Sequence, residues 1–304
     1  MGVCNVKVRI FSALLGIVML IGVLLIPSPV AIAVMCSLLA IVAVFELLHN
    51  TGIVRQKSFL ISSMAFAGLE ILAYSFVTFI RAQPLLEINS YVVIGYLPLI
   101  LLGAYVLSIL LHVLIPSVDV SFESAQYAFL LTLYATVGFG SVALMRQVRN
   151  IGWWLVVLVL VIAWMSDTGA YFIGVLLGKH KMAPTISPKK SWEGFFGGWI
   201  VSVLCAVLVF ILRFEIENTY GENVFYSLYL FLPMAFLLAP LSVCGDLLAS
   251  AVKRKCGIKD FGNIMPGHGG VMDRFDSVLL IAPLLYLIVE NYSLIHNWMA
   301  TLFF

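Results

Sequence analysis

The stretch GWWLVVLVLVIAWMSDTGAYFIGVLLG, residues 152–178, carries one formally charged side chain, Asp167, in an otherwise apolar run. Coiled as an α-helix at about 1.5 Å per residue it is about 40 Å long, enough to cross the ~30 Å hydrocarbon core of a bilayer. Eight further runs share its character, near 10–26, 28–48, 58–80, 92–115, 125–145, 194–213, 226–251 and 277–300. Bulk composition agrees: of 304 residues 62% are hydrophobic and 11% charged, against roughly 25% charged in soluble domains. The expected fold is an all-α, polytopic integral membrane protein with about nine transmembrane helices, and the lipid bilayer is its first partner. The sequence divides into an N-terminal set of about five helices, 1–150, and a C-terminal set of about four with polar loops, 151–304.

The first two runs are separated only by Pro27, Ser28 and Pro29. Read as one helix they would extend for about 60 Å, so a break into two spans is expected there. Basic residues, which favour the cytoplasmic side, test the count. With nine spans and a cytoplasmic N-terminus, Lys7, Arg9, Arg55, Lys57 and every Lys or Arg in the 179–190 and 253–274 loops share one side, while Arg81, Arg146, Arg149 and Arg213 remain on the other. A net charge of +2 is too small to suggest a nucleic-acid partner. The five cysteines show neither a C-x-x-C pair nor zinc-ligand spacing, so they are read as small apolar fillers, with Cys256 a free thiol.

Function must then lie in the two basic loops and the charges near them. In GKHKMAPTISPKKSWEGFFGG, 178–198, Ser187 before Pro188 has the form of a helix start, Ser capping and Pro at the first helical position. Lys189 and Lys190 would then stand in the first turn beside unpaired N–H groups, a setting suited to phosphate; Glu193 follows just before the apolar run. The second loop, KRKCGIKDFGNIMPGHGGVMDRFDS at 253–277, supplies Lys253, Arg254, Lys255, Lys259 and Arg274 beside Asp260, Asp273 and Asp276. Between them, PGHGG at 266–270 offers a backbone whose N–H groups can approach a phosphate closely. Asp246 lies two helical turns before Lys253 on the same helix face. Cationic groups for phosphates beside hard carboxylates for Mg²⁺ form the composition of a nucleotide-dependent phosphoryl or nucleotidyl transfer site.

Asp167 lies about 16 Å along the helix from the end of its span, a depth at which an ionisable residue faces a polar cavity or a partner. Ala170, Gly174 and Gly178 recur every four residues beside it and form a small-residue face for helix packing.

From Ser250, the run SAVKRKCGIKDFGNIMPGHGGVMDRFD resembles the signature of phosphatidate cytidylyltransferases, also called CDP-diacylglycerol synthases. SDTGAY at 166–171, SPKKSWEG at 187–194 and the pair Gly245–Asp246 resemble that family's other polar landmarks, in the same order. The first 150 residues match it only as membrane helices. Met265 departs from the branched or aromatic apolar residue more usual at its place. The resemblance implies reaction of phosphatidate with CTP to give CDP-diacylglycerol and pyrophosphate, assisted by Mg²⁺. It implies metal binding by Asp246 and Asp273, with Asp276 a weaker candidate. It also implies that Lys253, Arg254, Lys259 and Arg274 hold triphosphate or headgroup, and that Lys189 and Lys190 assist. His268 then acts as a phosphate donor or loop-shaping residue, and Gly269 and Gly270 as backbone contacts. A polar cavity reaching Asp167 would admit the lipid headgroup from the side.

The expected setting is the bacterial inner membrane with the site facing the cytoplasm, where soluble CTP meets a diacyl lipid; a homodimer is among the expectations for partners. Two other readings stay open from the residues alone: a secondary transporter of an anionic substrate using Asp167, and a CTP-dependent lipid kinase. Neither repeated halves nor interrupted helices, common in transporters, are found in the sequence.

Overall fold

The computed structural model describes residues 16, 18–26, 28–81, 94–115, 120–148, 151–217, 224–264 and 269–291. Its order is α1 (Pro29–Phe45), a π-helical turn (Glu46–Asn50), α2 (Lys57–Arg81), α3 (Leu97–Leu114), α4 (Phe122–Met145), α5 (Gly152–Leu177), the hairpin strands β1 (Lys181–Ala183) and β2 (Ser187–Ser191), α6 (Trp192–Glu217), α7 (Val224–Lys255) and α8 (Met272–Glu290). Among the described residues, seven helices are long and apolar enough to cross a membrane: the α1–π segment, α2 to α5, and the apolar parts of α6 and α7. Of the two other expected spans, the first is described only from residue 16, and is helical over 18–25. The last lies outside the described residues beyond 291, α8 having already begun inside the charged signature.

The break between the first two runs falls where the prolines predict it. Ser28 is extended (φ −76°, ψ 126°), its Oγ accepts from Val30 N at 3.3 Å, and Pro29 opens α1 at a position whose N–H no helix uses. Ser121 caps α4 in the same way, accepting from Ser124 N at 3.1 Å. Large apolar side chains such as Leu176 (77% exposed) and Leu25 (76%) point outward, which hydrocarbon accommodates and water would not.

The chain forms two compact units. One comprises Met1–Arg149 with Val252–Phe275, the other Asn150–Ala251 with Asp276–Phe304. In the first, α2 packs against α1, α3 and α4. Ser37 Oγ donates to Gly68 O at 3.0 Å, Tyr105 OH donates to Ser63 Oγ at 3.1 Å, and Phe66 stacks on Tyr105.

In the second unit α5 and α6 approach so closely that their glycines leave no room for side chains. A Cβ at Gly198 would lie 2.3 Å from Ser166 O, one at Gly194 2.7 Å from Ala170 O, and one at Gly169 2.8 Å from Val201 Cβ. The small-residue face is therefore a packing seam, the association mode expected where lipid tails are as apolar as the helices themselves. Pro240, inside α7, has no N–H for the carbonyl four residues back; that carbonyl, Phe236 O, accepts instead from Trp199 Nε1 at 2.9 Å.

One local expectation is overturned. Ser187–Ser191 is not the first turn of a helix but strand β2, antiparallel to β1 with Lys181 opposite Ser191 and Ala183 opposite Ser187. The helix cap is Ser191, four residues later, whose Oγ accepts from Gly194 N at 3.2 Å. Pro188 has no N–H to give a ladder, but a two-stranded hairpin is all edge and tolerates it, so Ser-Pro serves a strand as well as a helix start. Lys189 and Lys190 thus alternate across a strand, Lys189 exposed and Lys190 half-buried.

Candidate functional site

The first unit contains the signature loop. α7 ends in a left-handed cap: Gly257 has φ +69°, Gly257 N donates to Arg254 O at 3.2 Å, and Ile258 N donates to Lys253 O at 3.0 Å. This doubly bonded ending holds Lys253 in the last turn. Its Nζ lies 2.8 Å from Asp273 Oδ1, with side chains 14% and 6% exposed, and 5.2 Å above the Phe261 ring. The other oxygen of Asp273 accepts from Phe261 N at 2.8 Å and Gly270 N at 3.0 Å. Asp273 also stands in the first turn of α8, where a negative charge suits the helix dipole. One carboxylate thereby joins the end of α7, the middle of the loop and the start of α8.

Gly269 and Gly270 flank this carboxylate. Gly269 has φ +89°, the left-handed region that side chains disfavour, and a Cβ there would lie 2.9 Å from Asp273 Oδ2. Arg254, Lys259 and Arg274 are exposed around the loop. His268 lies outside the described residues.

The second unit contains a separate polar group. Lys190 Nζ lies 2.6 Å from Asp246 Oδ2, an ion pair between side chains 19% and 26% exposed. Ser250 Oγ, one turn on, donates to Asp246 Oδ1 at 3.3 Å. Beside Asp246, Gly245 touches the start of the α8 segment: a Cβ there would meet Asp276 O at 2.7 Å and Ser277 Cα at 3.0 Å. Asp276 is buried and its Oδ1 accepts from Ser277 N at 2.7 Å. Ser277 Oγ in turn donates to Asp167 Oδ2 at 3.4 Å. Asp167, isolated in the sequence, thus lies beside the Asp276–Ser277 step. Glu193 anchors the hairpin: its carboxylate accepts from Lys179 N at 3.1 Å and from His180 N at 3.2 Å, and lies 2.6 Å from His180 Nδ1.

Among the described residues no three His, Cys, Asp or Glu side chains converge as a metal cage. The donor set that exists is nonetheless of the hard-oxygen kind: Asp246 with Ser250, and Asp276 with Ser277 and Asp167. Carboxylate and hydroxyl oxygens without sulfur or imidazole fit Mg²⁺, which keeps several waters and takes only one or two carboxylates from the protein. Asp273 differs in being 6% exposed against 26% for Asp246, and in accepting two backbone N–H groups besides the Lys253 ammonium.

Two residues at this site escape the sequence reading. Glu46 is fully buried and its two oxygens accept from Val271 N at 3.0 Å and Met272 N at 2.8 Å. Asn50 Nδ2 donates to Phe261 O at 2.7 Å. The signal was present: Glu46 is the only formal charge in the 28–48 run, and an acidic residue in a span calls for a partner as much as Asp167 does.

Residues 7–292 match the cytidylyltransferase family. A phosphatidate cytidylyltransferase of Staphylococcus epidermidis is 31% identical over 287 residues, covering 93% of this chain and 98% of that protein. That of Staphylococcus aureus is 29% identical over the same share of both chains, and that of Staphylococcus saprophyticus is 37% identical over 170 residues, 56% of this chain and 60% of its own. With a match across almost the whole length, helices and charged loops alike, the chain belongs to the cytidylyltransferase family.

Proposed function

We propose that this protein transfers the cytidylyl group of CTP to phosphatidate, giving CDP-diacylglycerol and pyrophosphate. The observation that carries the reading is the signature loop itself, a glycine-bearing backbone gathered around Asp273 and Lys253 in a chain otherwise built to span a bilayer. A phosphatidate oxygen attacks the α-phosphorus of CTP; the new P–O bond forms as the bond to the β-phosphate breaks, and pyrophosphate leaves with that electron pair. The attacking phosphate is already ionised near neutral pH, its second pKa being about 6, so no general base is needed.

The chain's own task is to bring two polyanions together and stabilise charge on the departing pyrophosphate. Lys253, Arg254, Lys259 and Arg274 hold phosphate groups, Gly269 offers its backbone N–H while Gly270, whose N–H is given to Asp273, lets the backbone approach closely, and His268 donates to a phosphate or shapes the loop. Lys189 and Lys190 serve phosphate from the hairpin that Glu193 anchors. Asp167 lines the polar route for the lipid headgroup. Asp246 and Asp276 would hold Mg²⁺, which would supply neutralisation of phosphate charge, while Asp273, engaged by Lys253, Phe261 and Gly270, shapes the loop. The reacting groups come from 151–304, and the chain crosses a bacterial inner membrane nine times with its N-terminus and site on the cytoplasmic side. A diacyl substrate stays in that bilayer, each buried CH₂ contributing ~0.8 kcal/mol.

The test is product analysis of the purified chain with CTP, Mg²⁺ and phosphatidate, beside Asp246→Asn. Phosphatidate-dependent pyrophosphate and CDP-diacylglycerol, lost in the variant, are expected. Release of CDP instead would make the protein a kinase, and no turnover by folded, lipid-binding protein would overturn the enzymatic reading.

A further inference from the structure

We propose that Glu46, assisted by Asn50, is a positioning residue for catalysis: from the π-helical turn that follows α1 it holds the signature loop in the shape that lets Lys253 and Gly269 meet the nucleotide. The proposal rests on the cytidylyl-transfer reading and goes beyond it, because neither residue belongs to the polar signature.

Four observations converge. Glu46 is 0% exposed, and both of its oxygens are taken by the consecutive amides of Val271 and Met272, the donors that open α8. A helix ordinarily takes its N-terminal acceptor from the residue just before it; this one takes it from a residue 225 positions away. Second, the loop is shaped around the carboxylate. A Cβ at Gly262 would lie 2.3 Å from Glu46 Oε1, and one at Gly270 would lie 2.4 Å from each Glu46 oxygen. Gly270 is therefore held between two carboxylates, its neighbours touching Glu46 and its N–H donating to Asp273.

Third, Asn50 fixes Phe261 O while Asp273 fixes Phe261 N, so the peptide groups on both sides of Phe261 are tied down. Fourth, Glu46 and Asn50 begin and end the π-helical turn. With its wider ring, that turn re-aims the chain where α1 meets the loop, and Thr51 Oγ1 ties its end back by donating to Leu47 O. The commitment of two polar side chains, Glu46 buried and Asn50 exposed, to backbone groups of one loop has a reason if the loop's exact shape matters. Each Lys253 and glycine contact to a phosphate depends on position, and a misplacement of about 1 Å can lower turnover by about 100-fold.

The experiment uses the full chain in phosphatidylcholine nanodiscs, comparing Glu46→Gln with wild type. Gln keeps the size of the side chain and one acceptor oxygen but turns an NH2 toward an N–H donor. Amide-resolved hydrogen exchange at Phe261, Gly270, Val271 and Met272 reads the loop; kcat and KM for CTP, per folded molecule, read its consequence. Faster exchange at these amides together with a fall of at least tenfold in kcat/KM for CTP is expected. A role in stability alone would lower only the amount of folded enzyme and leave kcat/KM per folded molecule unchanged. A fall smaller than tenfold, or unchanged exchange, overturns the proposal. Should Glu46→Gln not accumulate as folded protein, Asn50→Ala carries the same two readouts under the same criteria. If wild type makes no CDP-diacylglycerol, it is the cytidylyl-transfer reading that fails, and the exchange measurement still reports whether Glu46 holds the loop.

Discussion

Replacing Lys253 by Met and Asp273 by Asn, singly and together, probes whether the buried ion pair organises the signature loop. The two side chains are 14% and 6% exposed and 2.8 Å apart. At an effective dielectric of about 20, unit charges at about that separation attract by roughly 6 kcal/mol, and desolvation of both ions cancels much of this. Removing one partner leaves the other charged and buried, at a cost of about 3–5 kcal/mol. Asp273→Asn belongs at the upper end, since Asp273 also accepts from Phe261 N and Gly270 N and an amide can offer only one acceptor oxygen. Lys253→Met belongs at the lower end, because Met keeps the apolar stem beside the Phe261 ring. The double variant has no stranded charge, so its loss should fall short of the sum by about 2–3 kcal/mol. Reversible unfolding in mixed detergent micelles measures all four corners of the cycle, with hydrogen exchange at Phe261 and Gly270 reporting the loop. Additivity within ~0.5 kcal/mol, the behaviour of independent sites, would refute the coupling.

The second ion pair is more exposed, 19% and 26%, so Lys190→Met should cost only about 1 kcal/mol of stability while lowering CDP-diacylglycerol formation by more than tenfold; unchanged turnover would remove Lys190 from the chemistry. Gly198→Ala forces a methyl to within 2.3 Å of Ser166 O, and the strain of overpacking, about 1–3 kcal/mol or more, should appear as a lower unfolding midpoint. Trp199→Phe strands the Phe236 carbonyl that Pro240 cannot serve, at about 1–3 kcal/mol; Pro240→Ala in the same chain should restore most of it by supplying the missing N–H, and a failure to do so would show the indole bond to be incidental. Burial pushes the Cys256 thiol above its ordinary value, against a smaller opposing effect of Lys255, so little thiolate exists at pH 7. Maleimide should label Cys256 more slowly than an exposed model thiol, and rapid labelling would contradict this.

Much of the fold was legible because lipid imposes a coarse rule. A span must be long, apolar and helical to satisfy its own backbone, and those properties are visible residue by residue in the 28–48, 58–80 and 152–178 runs. The glycine face of α5 was legible as packing for the same reason, since spacing by four residues places small side chains on one side. The Ser187 reading failed because its signal is local and ambiguous: Ser followed by Pro suits a helix start and an edge strand alike, and only pairing with Lys181–Ala183 selects between them. The charged loops were legible as a site by composition. Their internal wiring was not, because hydrogen bonds such as Glu46 to Val271 join residues with no sequence relation.

The amino-acid sequence by itself determined that this chain is a helical membrane protein, that its Lys, Arg and Asp residues concentrate in two loops, and that those loops resemble a cytidylyltransferase signature. The first two are properties of composition and periodicity, which the bilayer converts directly into spans and ends; the third is a resemblance carried by the motifs themselves. Only the tertiary structure decided that Lys253 pairs with Asp273 and Lys190 with Asp246, that Ser191 rather than Ser187 caps α6, and that Glu46 in the π-helical turn after α1 holds the start of α8. Each of these depends on which buried donors and acceptors meet once the helices have packed, and an unpaired polar group is so costly away from water that the three-dimensional arrangement, not the local sequence, selects its partner.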